Sequence, residues 1–114
     1  MKRGDVWTIS GGAEFAGKPR PAVIIQGDRF DSTVSVTVCL FTTTLRDADI
    51  LRPAVEPTAT NGLARPSQVM IDKLTTVQRS KLGRRIGELT AHDLAAIDTS
   101  LLLFLGLVPT RQTE

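Results

Sequence analysis

The chain has 114 residues, room for one hydrophobic core and not for two. Its 41% hydrophobic and 23% charged residues are the balance of a soluble globular protein, and a net charge of +2 by itself singles out no class of partner. No basic start followed by an apolar stretch reads as a signal peptide. The longest apolar run, Leu101 to Val108, is too short to cross a bilayer, so the cytoplasm is the expected location.

Asp5 to Ser10 (DVWTIS) alternates and predicts a first strand, with Trp7 in the core. Gly11 to Pro19 is a loop holding three glycines. Pro21 to Gln26 (PAVIIQ) is a continuous apolar run and predicts a strand buried on both faces. Directly ahead of it stands Lys18-Pro19-Arg20-Pro21. Both prolines fix φ and lack an N–H, so Arg20 is held between two stiff units at the mouth of a core strand. The motif has two readings, a positioned charge or an arginine that pairs with a carboxylate and closes the sheet end. Val34, Val36, Val38 and Leu40 then alternate with Ser35, Thr37 and Cys39, the clearest two-residue period in the chain. Cys39 is the one cysteine and reads as core packing. The strand runs into Phe41-Thr42-Thr43-Thr44, and Ile50 to Val55, interrupted by Pro53, predicts an edge strand.

After the turn-rich EPTATNGLARPS, Gln68 to Ile71, Leu74 to Val77 and Ile86 to Leu89 predict short strands, the last preceded by the basic RSKLGRR. Thr90-Ala91-His92-Asp93 resembles a capping box with Asp in place of Glu. Leu94, Ile97, Leu101 and Leu105 follow at helical spacing, and Gly106 stops the helix. That helix is more apolar than a solvent-covered one requires; packing against its own barrel is the default reading, and burial of the surplus in a dimer the alternative. Short strands closed by one C-terminal helix predict a mainly β fold, a small antiparallel barrel or half-barrel occupying residues 1–108 as one domain. Residues 109–114 are expected to form a flexible tail. Between Arg65 and Arg85 six cations face one acid, Asp72, a distribution that fits either contact with a polyanion or a solvated cationic surface.

Elimination narrows the chemistry. His92 is the one histidine and falls in the first turn of the predicted helix, which leaves no two-histidine acid–base pair and no His/Cys zinc set. No glycine-rich phosphate loop and no Gly-x-Ser-x-Gly elbow is present, and the absence of tyrosine argues against an aromatic base-stacking platform. Arginine, threonine and carboxylate chemistry remains. That set can serve phosphoryl chemistry on RNA, where the substrate's own 2′-hydroxyl is the nucleophile.

Four segments, MKRGDVW (1–7), GKPRPAVII (17–25), CLFTTT (39–44) and SQVMIDKLTTV (67–77), together resemble the MazF/PemK-type toxins of type II toxin–antitoxin systems. The resemblance implies an SH3-like barrel and a metal-independent, sequence-specific endoribonuclease that needs no cofactor. It also implies a homodimer that binds single-stranded RNA along its interface, and an antitoxin partner whose acidic, apolar tail lies across the same groove. Arg20 matches the family's Arg-Pro arginine, a charge stabiliser and proton donor at the scissile phosphate. Thr42 falls at the family's threonine after the third strand, a hydroxyl for the phosphate or the 2′-oxygen. Asp72 falls where some members carry the carboxylate assigned as base, although a salt bridge with Arg20 or Lys73 would also account for it. Glu14, Lys18, Thr43, Lys73 and Arg79 are the candidate RNA contacts, and residues 11–18 a candidate lid.

The chain departs from parts of the family. Met70 stands where some branches place an arginine, and Ala13-Glu14 where some place a histidine. Two other readings share the fold: a gyrase poison of the CcdB type, and an inactive member that only binds antitoxin or RNA. The CcdB type acts through a tryptophan near the C-terminus, and here Trp7 is the one tryptophan.

Overall fold

The computed structural model describes residues 1–10 and 18–108. Among them follow β1 (Asp5–Ile9), β2 (Arg20–Ile24), β3 (Ser35–Thr42), β4 (Ala54–Val55), β5 (Ser67–Val69), β6 (Thr75–Gln78), β7 (Leu82–Glu88) and α1 (Ala91–Phe104). The strands pair antiparallel in the order β4-β5-β3-β2-β1-β7. β3 is the shared strand. β2 runs along one edge, while the other edge takes β6 at Ser35–Val38 and β5 at Phe41–Thr42. A 3₁₀ turn at Ile71–Lys73 separates β5 from β6, and another at Arg79–Lys81 joins β6 to β7. Linking strands from opposite ends of the sheet in this way curls it into a half-barrel, the mainly β architecture that the alternation predicts.

Both faces of the central strands are covered. Val6, Val23, Ile25, Cys39 and Phe41 join Val55, Leu63, Val69, Ile71, Leu89 and Ile97 in one cluster. Ile9, Ala22, Ile24, Val36 and Val38 form a second cluster on the opposite face, bordered by Trp7, Leu40, Val77 and Leu82. A strand buried on both sides has no polar face to show, which is why PAVII reads as an unbroken apolar run. The Cys39 thiol is pushed up to about 12, chiefly by burial, so it stays protonated and packs as a small apolar group.

The first residues act as a stitch. Arg3 donates its backbone N–H to Asp28 Oδ1 (2.6 Å) and its Nε–H to the Ile25 carbonyl (2.7 Å). Its guanidinium also reaches Asp98 of α1 at 2.6 Å. Asp5, buried, accepts the Lys2 N–H and pairs with Arg85. The Arg-Gly-Asp start is thus scaffold, tying β1 to β2, β7 and the helix.

Several boundaries differ from the sequence reading. β7 begins at Leu82, so Arg84 and Arg85, read as a connecting segment, are strand residues. This strand takes its order from backbone pairing with β1, interrupted by register shifts on either side of Trp7, and carries no apolar alternation of its own. Val34 lies just outside β3 and is 81% exposed, so the valine period starts at Val36. Of Ile50 to Val55 only Ala54–Val55 is strand, at the sheet's edge as expected. Thr90 caps α1, its hydroxyl accepting the Asp93 N–H at 3.1 Å. The helix closes in a Schellman pattern at Gly106, whose N–H bonds the Leu103 carbonyl while that of Leu107 bonds the Leu102 carbonyl. Ile97 and Leu101 pack inward, and Leu102, Phe104, Leu105 and Leu107 stay exposed. The expected tail at 109–114 lies outside the described residues. No helix among the described residues is long and apolar enough to cross a membrane.

Candidate active site

Strand register builds the site. Ile9 pairs with Arg20 across β1–β2, and Ala22, Val23 and Ile24 pair with Leu40, Cys39 and Val38 across β2–β3. Carried two residues further, the second register sets Arg20 opposite Thr42, with both side chains on the face of Ala22 and Leu40. There they line a cleft of about 180 Å³ together with Leu40, Phe41, Thr43, Thr44 and Met70. Arg20 is exposed, and among the described residues no carboxylate lies within salt-bridge distance of it. Of the two readings of the Pro-Arg-Pro motif, the positioned charge fits this geometry. Pro21 is paired into the sheet opposite Thr8, which fixes the backbone that carries the arginine.

Thr42 is distinguished from its two neighbours. Its Oγ1 accepts the backbone N–H of Thr44 at 3.1 Å, so the hydroxyl proton is left to donate into the cleft. The segment after it is clamped by Gln68, which sequence reasoning missed. Gln68 is buried, its Oε1 accepts the Arg46 N–H (3.0 Å), and its Nε2 donates to the Arg46 carbonyl (2.8 Å). These two bonds hold residues 43–46 at the cleft wall. A glutamine paired with a residue 22 positions away leaves no local signal in a sequence.

Asp72 has a different neighbourhood from the one the sequence suggested. It stands on the Ile71–Lys73 turn, and its carboxylate takes two bonds from Arg52, Nε to Oδ1 at 2.9 Å and an Nη to Oδ2 at 3.1 Å. The salt-bridge partner is therefore Arg52, not Arg20 or Lys73. The Arg52 side chain is only 6% exposed, and its bond to Asp72 is the main reason the carboxyl is held below its usual range. A carboxylate so stabilised is a weak base, and Asp72 does not line the cleft. It joins the turn that follows Met70 to the 46–52 segment.

The candidate RNA contacts divide. Thr43 lines the cleft, Lys18 is exposed two residues before Arg20, and Lys73 is exposed beside Asp72. Arg79 is elsewhere: it donates to the carbonyls of Thr33 and Asp31, and its N–H bonds the Val34 carbonyl. That places it at the start of β3, with the length of that strand, roughly 20 Å, between it and Thr42. Glu14 and most of the candidate lid lie outside the described residues. Among the described residues no group of three His, Cys, Asp or Glu side chains is placed to hold a metal ion.

The chain is thus a curled, mainly β half-barrel with one C-terminal helix, carrying an arginine and a threonine on adjacent strand ends. The family model for "PemK-like, MazF-like toxin of type II toxin-antitoxin system" matches residues 2–105, and the chain belongs to that family. It is 51% identical over 107 residues to the probable endoribonuclease MazF of Mycolicibacterium smegmatis, covering 94% of this chain and 98% of that one. Among solved structures, a mycobacterial endoribonuclease in complex with its cognate antitoxin superimposes with a TM-score of 0.80 at 27% identity, covering 95% and 97% of the two chains. Mycobacterium tuberculosis toxin MazF-mt6 follows with a TM-score of 0.75 at 28% identity, covering 90% and 96%.

Proposed function

We propose that this chain is the toxin of a toxin–antitoxin pair and an endoribonuclease that cuts single-stranded RNA at a short sequence without a metal ion. The observation that carries this reading is the Arg20–Thr42 pair on the cleft. A guanidinium that no carboxylate among the described residues neutralises stands across from a hydroxyl whose oxygen accepts the Thr44 N–H and keeps its proton to donate. The 2′-hydroxyl of the substrate gives up its proton to water as its oxygen attacks the adjacent phosphorus. The P–O5′ bond breaks and the leaving 5′-oxygen takes a proton back from water, so that a 2′,3′-cyclic phosphate and a 5′-hydroxyl result. Negative charge accumulates on the non-bridging oxygens during the attack. Arg20 supplies a planar donor pair for them, and Thr42 a third donor from the neighbouring strand. Arg20's contribution is charge stabilisation through a planar fork that meets two phosphate oxygens at once. Asp72, turned to Arg52, belongs to the frame of the cleft.

The same reading gives the chain a homodimeric state, which the exposed Leu102, Phe104, Leu105 and Leu107 of the helix end favour. It gives the antitoxin an acidic, apolar segment that occupies the cleft and neutralises Arg20. The relatives' activity and the antitoxin-bound neighbour support this reading.

The test is cleavage mapping. Purified protein freed of any antitoxin, given a long unstructured RNA, should cut at discrete sites sharing one short motif. Thr42→Ser should retain most of the rate. Thr42→Val should lose about tenfold, the equivalent of one neutral hydrogen bond in the transition state. Intact RNA after prolonged incubation with folded protein would contradict the enzymatic reading.

A further inference from the structure

Beside the cleft lies a second cavity of about 270 Å³, and Thr43 is a wall of both. Thr8 and Pro21 pair across β1–β2 and line this second cavity. Because side chains alternate along a strand, they stand on the opposite face from Arg20. The two cavities therefore flank the same end of the sheet. The remaining walls of the second are Ile86 of β7, the β4–β5 connection at residues 62–65 and Ser67 at the start of β5. The proposed chemistry uses none of these.

That connection is built as a fixed wall. Asn61 is buried; its Oδ1 accepts the N–H groups of Thr58 and Leu63, both at 3.0 Å, and its Nδ2 donates to the Glu56 carbonyl at 2.8 Å. Gly62 has φ +73°, and a Cβ there would stand 2.2 Å from the Ile86 carbonyl oxygen. On the facing strand, a Cβ at Gly87 would stand 2.3 Å from the Thr60 carbonyl oxygen. Only glycine at both positions lets the connection lie directly against β7. The cavity is thus formed before any ligand arrives.

Its surface suits a flat ring with a polar edge. Pro21, Leu63, Ala64 and Ile86 are apolar. Thr8 Oγ1 accepts the Arg84 N–H at 3.1 Å, leaving its proton to donate. Ser67 Oγ donates to the Arg65 carbonyl at 2.8 Å, leaving lone pairs to accept. Arg65 is exposed and places a cation on the same lining. Apolar walls, one free donor, one free acceptor and an adjoining cation are what an unstacked nucleobase and its backbone require. We propose that this cavity seats one nucleobase of the RNA beside the cut phosphate, so that residues 62–65 set which base is accepted there. The proposal rests on the endoribonuclease reading above.

The test compares the natural protein with Ala64→Phe and Arg65→Ala on a randomised single-stranded RNA, sequencing every cut site, with thermal melting alongside. Ala64→Phe, which fills the cavity, should change or erase the base preference at one position beside the cut and slow cleavage of the original motif about tenfold or more, as a single mismatched base does elsewhere. Arg65→Ala, an exposed change, should alter preference at that same position with melting unchanged. The original motif cut at the original rate by both variants would overturn the proposal. Uniform slowing over all sequences would overturn it too, since that marks a phosphate contact. If Ala64→Phe fails to fold, Arg65→Ala decides on the same criteria. If the natural protein leaves all RNA intact, the endoribonuclease reading fails first and this proposal falls with it.

Discussion

Arg20→Ala is expected to slow RNA cleavage about 100- to 1000-fold, the usual effect of removing one transition-state charge contact. Melting should barely move. Arg20 is exposed, and among the described residues its side chain makes no ion pair, so little folded-state energy depends on it. Arg20→Lys should recover only part of the loss, because a point charge replaces a fork that meets two phosphate oxygens at once. Single-turnover rates on one short oligonucleotide, with a melting curve beside them, would show both effects. Loss of fold in Arg20→Ala would instead make the arginine a closure of the sheet end.

Asp72→Asn should act mainly on stability, lowering it by about 2–3 kcal/mol, because it leaves the buried Arg52 guanidinium without its carboxylate. The pH dependence has a definite sign. The Asp72 carboxyl is held below its ordinary value, so the native state binds fewer protons than the unfolded chain through that range. The pair's contribution is therefore fully present above about pH 4, the unfolded value of an Asp, and is lost as pH falls through the lower folded value. Natural protein and Asp72→Asn should accordingly differ in denaturant midpoint at neutral pH and converge in strong acid. At neutral pH the variant's cleavage rate should stay within several-fold of natural wherever it is folded. A rate loss as large as that of Arg20→Ala, with stability intact, would return Asp72 to the role of base.

Legibility in the sequence followed how local the information is. The double-sided burial of β2 and the valine period of β3 are written in consecutive residues, and so are the cap and stop of α1, with Thr90 and Gly106 in the expected places. β7 was the main miss: Leu82-Gly83-Arg84-Arg85 has no apolar period, and its order comes from β1 across the sheet. The site shows the same division. Arg20 stands out by its flanking prolines and by resemblance, but a run of three threonines cannot announce which hydroxyl is set to donate. Register and the Thr44 N–H single out Thr42. Asp72 is visible as a residue but its neighbourhood is not, because its partner Arg52 lies 20 positions away. Arg79 read as part of a basic segment, yet its guanidinium is occupied by the carbonyls of the 31–33 loop. Side-chain bonds between distant segments set these neighbourhoods, and charge counting along the chain does not register them.

The central claim is that Arg20 and Thr42 promote attack by the RNA's own 2′-oxygen with no metal ion taking part. The most direct measurement is to incubate the purified protein with a defined oligonucleotide in excess EDTA and identify both new ends by mass spectrometry. The account predicts undiminished cutting, with a 5′-hydroxyl on one fragment and a 2′,3′-cyclic phosphate, or the 3′-phosphate from its opening, on the other. Cleavage that stops in EDTA and returns with a divalent cation, or fragments bearing 5′-phosphate ends, would contradict it.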